Sequence, residues 1–381
     1  MIYAVYPLLL IALLWGAKLS KKGEWNDEAF SLRQMKALQG FIAICIMLHH
    51  CGQNTSASWI DKRYYYPGLD FFVPMGFVFV SFFTFATGYG LYKSLKTKEN
   101  YLQNHFIRHR ILPIILIGYA VSLIFLIPRY FLGENLRGMR VVWYLTGLKL
   151  CNPNGWYVVA IPFFYLCFYL AFRFCKKERT ALAIVILFTT VYQLIGVFLD
   201  HNDWWMCGEW WYNSVDPFAV GILFAMYEEQ IVAHVKRNYV KYLIFGLIAM
   251  VAFDILRTYA TGVFSYYGEY WDAPDKVWRR IVCLITEELY AASVVFYVFL
   301  IGLKLKIGNR FLAFMGTVTL EFYLIHGLYA ELFAFSFADE LKPLYYIKNN
   351  ALYVVVVFIF GLLSAIILKK IEDAVKKALR R

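Results

Sequence analysis

Apolar stretches long enough to cross a bilayer recur along this 381-residue chain, and that recurrence limits its fold more than any motif does. They fall near 2–17, 37–50, 71–92, 111–128, 155–174, 181–199, 216–227, 242–256, 281–303, 311–336 and 351–368, eleven in all. Hydrophobic residues make up 61% of the chain and charged ones 17%, a composition foreign to soluble domains. In hydrocarbon no water satisfies the backbone, so a run of roughly 17–25 apolar residues closes its hydrogen bonds within a helix. The expected fold is all-α: a polytopic transmembrane bundle of about 10–11 spans, with residues 1–381 forming one domain. The segment 141–150 is too short to span and reads as an amphipathic or re-entrant piece. The Asn-Pro-Asn-Gly turn at 152–155 separates it from the next stretch.

Charge tests this layout. The formal net charge is +12, but the basic residues sit between apolar stretches rather than on one patch, so they report topology and not a nucleic-acid partner. If the stretches alternate in direction, the loops 18–36, 93–110, 173–180, 228–241, 304–310 and 369–381 share one side. They hold 26 of the 38 Lys and Arg residues. The positive-inside rule then puts the 93–110 loop and the C-terminus in the cytoplasm and the N-terminus outside, in the plasma membrane of a cell. The first stretch has no basic residue ahead of it and three lysines behind it, which fits a first span better than a cleaved signal.

Ionisable groups within apolar helices are costly and usually functional. Lys36–His50 runs from a basic residue through a membrane-length helix to two histidines. On a helix His50 lies about 20° around the axis from Gln39 and about 40° from Lys36, while His49 points elsewhere. Glu321 and His326 fall in a later span, about 140° apart on a helix, and both must face protein or water. Asp70, Asp216, Asp254, Glu287 and Glu288 lie toward the same outer ends as His50, which predicts a polar cavity open on that side.

Three further features bear on ligands. The loop before Ile111 carries Lys93, Lys96, Lys98, Arg108 and Arg110. Arg108 and Arg110 stand at the membrane mouth, where guanidinium forks suit phosphate oxygens. On the other side, Trp204, Trp205, Trp210 and Trp211, with Tyr266, Tyr267, Tyr270 and Trp271, are either an interfacial belt or a stacking platform for a sugar ring. The seven cysteines have neither CxxC nor metal-ligand spacing, so they read as small hydrophobes and no metal is expected.

Taken in order, several stretches resemble the membrane-bound acyltransferase 3 family, the integral-membrane O-acyltransferases of envelope polysaccharides. Lys36–His50 resembles its first signature, a basic residue, ten residues and a histidine, although the basic slot here holds Gln39 with Lys36 nearby on the same stripe. Phe85–Ser94 resembles its Ser-Gly-Phe/Tyr segment with Thr87 in the serine slot, without the acidic residue many members carry shortly before it. Asn104–Ile114, Asn154–Leu166, Asp216–Ala225 and Met315–His326 resemble further segments, the last being the most specific.

The resemblance implies an acyl-CoA co-substrate, usually acetyl-CoA, held from the cytoplasmic side, and a carbohydrate acceptor, a glycan or glycolipid hydroxyl, on the outer side. In that reading His50 is base or nucleophile, His326 its partner, and Glu321 orients an imidazole. Lys36, Arg108 and Arg110 hold the nucleotide phosphates, and Thr87 and Tyr89 lie near the thioester as donors to its oxygen. Residues alone leave a second class open. Intramembrane acids and histidines also suit a transporter or flippase of envelope precursors, though no internal repeat is visible.

Overall fold

Each of the eleven apolar stretches is helical, but three of them are not straight spans. The computed structural model describes residues 1–199, 201, 206, 208–264, 273–337 and 341–379. Its helices are α1 (Val5–Leu14), α2 (Leu32–Gln53), α3 (Gly76–Thr97), α4 (Leu112–Phe131), α5 (Met139–Thr146), α6 (Trp156–Phe174) and α7 (Glu178–Phe198), then α8 (Pro217–Met226), α9 (Glu228–Arg237), α10 (Tyr239–Phe264), α11 (Lys276–Gly302), α12 (Arg310–Met315), α13 (Thr319–Leu332) and α14 (Asn350–Leu379). Among the described residues, eight helices are long and apolar enough to cross a membrane: α2, α3, α4, α6, α7, α10, α11 and α14.

The other three stretches depart from the expected layout for identifiable reasons. The stretch near 216–227 forms only the ten-residue α8, too short to span alone, because the chain turns by 83° into the charge-rich α9. The expected span 311–336 is broken into α12 and α13 at Gly316–Val318. Ile2–Leu14 rises only about 20 Å at about 1.5 Å per residue, short of a hydrocarbon core of about 30 Å. Its ends nevertheless reach opposite faces. Tyr6 Oη donates to Gly68 O at 3.0 Å, beside the far end of α2. Asn309 Nδ2 donates to Ala12 O at 2.7 Å, beside the near end.

The loops rich in Lys and Arg meet as the charge pattern requires. A two-residue strand pair joins Lys18–Leu19 to Leu305–Lys306, and Gln34 bonds to Ile307 through both its amide oxygen and nitrogen. This end of the bundle is called the basic face below. At the opposite face the His49 ring bonds Phe72 O at 2.9 Å and packs on Gly76, so its role is to join α2 to the start of α3.

Glycines set the closest crossings. A β-carbon on Gly88 would meet the carbonyl of Phe218, and one on Gly221 the carbonyl of Phe85. Two quoted family-like segments, Phe85–Ser94 and Asp216–Ala225, therefore owe these glycines to backbone contact between α3 and α8, the packing that small residues permit in membranes. Gly40 and Gly316 bring α2 against the break between α12 and α13 in the same way. These crossings hold α2, α3 and α13 around one interior space.

Candidate active site

Two histidines from distant parts of the chain meet in the bundle. His50 Nδ1 lies 2.7 Å from His326 Nε2, with the rings nearly parallel at 12° and their centroids 4.9 Å apart. His50 is 9% exposed and His326 fully buried. Gly361 of α14 presses on the His326 backbone, and the Phe322 ring stacks on its imidazole at 5.4 Å. His326 Nδ1 lies 2.7 Å from Phe322 O. A carbonyl only accepts, so Nδ1 of His326 carries the proton. In the neutral ring its Nε2 is then an acceptor, and His50 Nδ1–H donates to it. The arrangement leaves the lone pair of His50 on Nε2, the form a base or nucleophile needs.

The turn that the sequence marks only as a separator fixes this geometry from α6. Asn152 Nδ2 donates to Leu324 O at 2.9 Å, and Asn152 Oδ1 accepts from Asn154 N at 3.0 Å. Tyr323 Oη donates to Asn154 O at 2.6 Å. The Asn-Pro-Asn-Gly run thus dips into the bundle and pins α13 at Tyr323 and Leu324, within one turn of His326. Sequence reasoning gave Asn152, Asn154 and Tyr157 no role; their visible signals were the turn between two apolar pieces and, for Asn154 and Tyr157, a place in the family-like segment Asn154–Leu166.

A cavity of about 890 Å³ opens on the basic face. Its mouth is polar, with Asp27, Glu28, Lys98, Arg110 and Glu228, and its walls inside are apolar, with Ile46, Val80, Phe83 and Ile161. Along α3 it runs from Lys98 to Val80, roughly 27 Å at 1.5 Å per residue. Its deep end is bounded by Ile46, Tyr157 and Tyr323, one helical turn short of His50 and His326. The cavity therefore approaches the histidine pair without being lined by it.

The expected ligand-binding residues divide. Lys36, Thr87, Tyr89 and Arg110 line the cavity, as does Gln39. Arg108 does not: it is exposed, outside the lining, on the π-helical turn Ile107–Ile111 that sends alternate basic residues in opposite directions. Tyr89 is already engaged, its hydroxyl donating to Glu228 Oε2 at 2.8 Å beside Lys93, which pairs with the same oxygen at 3.0 Å. Thr87 Oγ1 meets Tyr157 Oη at 3.1 Å. Glu321 touches neither imidazole. It lies at the basic end of α13, 3.6 Å from Lys369, because the break at Gly316–Val318 starts α13 only two residues before it.

Among the described residues most of the outer acids have local partners, Asp216 and Glu288 lie close enough to interact, and the cavity of about 890 Å³ opens on the basic face. Asp254 pairs with Arg257 at 2.6 Å, Glu287 accepts from Asn213 at 3.0 Å, and Glu288 accepts from Gln193. Asp70 accepts from Tyr65 Oη and Gly68 N, each at 2.7 Å. Of the aromatic clusters, Trp211 is fully buried against Trp156 and offers no stacking face, while Trp210 is 39% exposed. Trp204, Trp205, Tyr266, Tyr267, Tyr270 and Trp271 lie outside the described residues. Among the described residues no three His, Cys, Asp or Glu side chains converge as a metal site.

Comparison with known proteins adds one finding. The model of the acyltransferase 3 family, described as an acyltransferase domain, matches residues 32–370, from the start of α2 into α14. No curated protein and no solved structure matches the chain.

Proposed function

Because the chain belongs to the acyltransferase 3 family of membrane acyltransferases, we propose that it moves an acyl group, acetyl first, from acyl-CoA to a hydroxyl of an extracytoplasmic glycan or glycolipid. The basic face is the cytoplasmic one, by the excess of Lys and Arg in its loops. The C-terminus is then cytoplasmic and the N-terminus outside, in the plasma membrane. The observation that carries this reading is the cavity that runs from a polar mouth on the basic face, with Lys98 and Arg110 in its lining, to within one turn of the His50–His326 pair.

The parts suit the reaction. Lys36, Lys98 and Arg110 in the cavity lining supply charge for the nucleotide phosphates of CoA. The apolar length beyond them suits a thin pantetheine arm. At the inner end His50 Nε2 takes the proton of the acceptor hydroxyl. The oxygen then bonds to the thioester carbon, the carbon–sulfur bond breaks, and the CoA thiolate recovers the proton from His50. His326 holds His50 in the reactive tautomer through its bond to Nδ1, and the Phe322 carbonyl holds His326. General-base help of this kind is worth about 10²–10⁴ in rate.

Thermal unfolding of the full chain in nanodiscs tests the donor half. Acetyl-CoA raises the midpoint, as any ligand selective for the folded state does; a transporter of envelope precursors shows no such response. Mass spectrometry of envelope glycans from cells with and without the gene tests the acceptor half: loss of an acyl group at a defined hydroxyl is the expected result, and unchanged glycans overturn it.

A further inference from the structure

The deep end of the cavity is closed by two tyrosines, and their positions bear on which acyl group passes. Tyr323 of α13 and Tyr157 of α6 both line the cavity and meet edge to face, with centroids 5.9 Å apart. On its far side Tyr323 lies against the His326 imidazole at 6.3 Å. Tyr323 therefore stands between the donor space and the histidine pair, with Tyr157 packed against it. Their hydroxyls are held differently. Tyr323 Oη donates at 2.6 Å to the carbonyl of Asn154, in the same turn whose Asn152 amide pins the backbone of α13 at Leu324. Tyr323 cannot swing without releasing that turn. Tyr157 Oη is held by a 3.1 Å bond to the Thr87 hydroxyl, a contact that a thioester carbonyl can replace by accepting from Tyr157 instead.

We propose that Tyr323 and Tyr157 are the specificity-determining floor of the donor cavity, Tyr323 a fixed stop and Tyr157 a movable one, so that only a short acyl group reaches His50. The proposal rests on the acyl-CoA reading above. The walls leading to the floor, Ile46, Val80, Phe83 and Ile161, are apolar and offer a longer chain no chemical penalty. Discrimination by length must then come from shape, and the tyrosine rings supply the shape. When Tyr157 turns from Thr87 to the thioester oxygen, a short acyl carbon gains access to the histidines while Tyr323 still blocks the space that further methylenes would fill.

The experiment measures binding of CoA, acetyl-CoA, butyryl-CoA and hexanoyl-CoA to the full chain in nanodiscs, by thermal shift and titration. The wild type, Tyr323→Ala, Tyr323→Leu and Tyr157→Phe are compared. The wild type is expected to bind acetyl-CoA more tightly than hexanoyl-CoA. Tyr323→Ala and Tyr323→Leu gain affinity for hexanoyl-CoA relative to acetyl-CoA, by about fourfold for each methylene newly admitted. Tyr157→Phe keeps the ring and therefore the wild-type order of chain lengths. Tyr323→Leu guards against loss of folding in the alanine variant, and CoA binding itself reports that each variant is folded. Tyr323→Ala and Tyr323→Leu proteins that bind CoA but retain the wild-type order overturn the floor while leaving the donor reading intact, as do a Tyr157→Phe protein with a changed order and a wild type indifferent to chain length. A wild type that responds to no CoA species overturns the donor reading and the floor together.

Discussion

If His326 acts only through His50, the two histidines form a cycle with a definite outcome. His50→Ala removes the base and is expected to lower turnover by about 10²–10⁴. His326→Ala leaves the base but takes away the acceptor that His50 Nδ1 meets at 2.7 Å. A buried donor left without its acceptor costs about 1–3 kcal/mol, so turnover falls by about 5- to 160-fold. His326→Gln keeps an acceptor oxygen on the side chain and loses less than His326→Ala. In the double variant the second loss disappears, since orientation of an absent ring has no value, and turnover equals that of His50→Ala alone. The assay follows label from acetyl-CoA into membrane glycans, with each variant checked for insertion and for acetyl-CoA binding. Losses that multiply in the double variant would show that the rings act independently. A folded His50→Ala protein with normal transfer would refute the site.

Arg110→Ala raises the KM for acetyl-CoA, with a weaker salt dependence than wild type, whereas Arg108→Ala, outside the cavity lining, changes KM by less than about twofold; steady-state kinetics at two ionic strengths separates them. Gly88→Leu drives a side chain into the Phe218 carbonyl and costs at least the roughly 1–3 kcal/mol typical of overpacking, seen as aggregation on size exclusion or a lowered unfolding midpoint. Glu134, in the loop after α4, gives a pH test. Burial alone would raise its carboxyl, but hydrogen bonds from Tyr144 and Arg129 outweigh that and hold it below its ordinary 4.5. Its contribution is therefore present above the unfolded value and lost as pH falls through the lower folded one, so the midpoint of the wild type declines below about pH 4.5 and that of Glu134→Gln declines less.

The sequence carries some of this architecture openly and hides the rest. Spans are legible because apolar length alone demands a helix in hydrocarbon, and the charged loops between them report which ends lie together. His50 and His326 are legible as costly groups within such spans. Their mutual contact is not, because it joins residues 276 positions apart and depends on how α13 is rotated. That rotation is held by the Asn152 side chain and the Asn154 carbonyl, which look like ordinary turn chemistry until the turn is seen inside the bundle. Glu321 misleads for a related reason. It shares an apolar run with His326, but the break at Gly316–Val318 places it at the basic end beside Lys369. Some outer carboxylates mislead because their partners are distant in sequence, as Glu287 has Asn213 and Glu288 has Gln193.

Irregular backbone inside a membrane survives only where protein buries it or a cavity admits water, and in this chain the irregularities cluster. The break between α12 and α13 is followed at once by Thr319 and Leu320, which line the donor cavity. The turn before α6 enters the bundle beside Tyr323 and His326. The π-helical residues Ile107–Ile111 carry Arg110 into the mouth and Arg108 away from it, and π-turns within helices often accompany functional sites. These three irregularities thus lie beside the same space, from mouth to floor. Straight helices would bury their polar backbone completely and leave only side chains to shape a passage. Broken ones bring carbonyls and amides to mid-bundle, where Phe322 O orients His326 and Asn154 O holds the tyrosine floor. The interruptions in these helices are therefore part of how the site is built, and restoring a continuous helix at Gly316–Val318 would be expected to displace His326 from His50 before it disturbed the rest of the bundle.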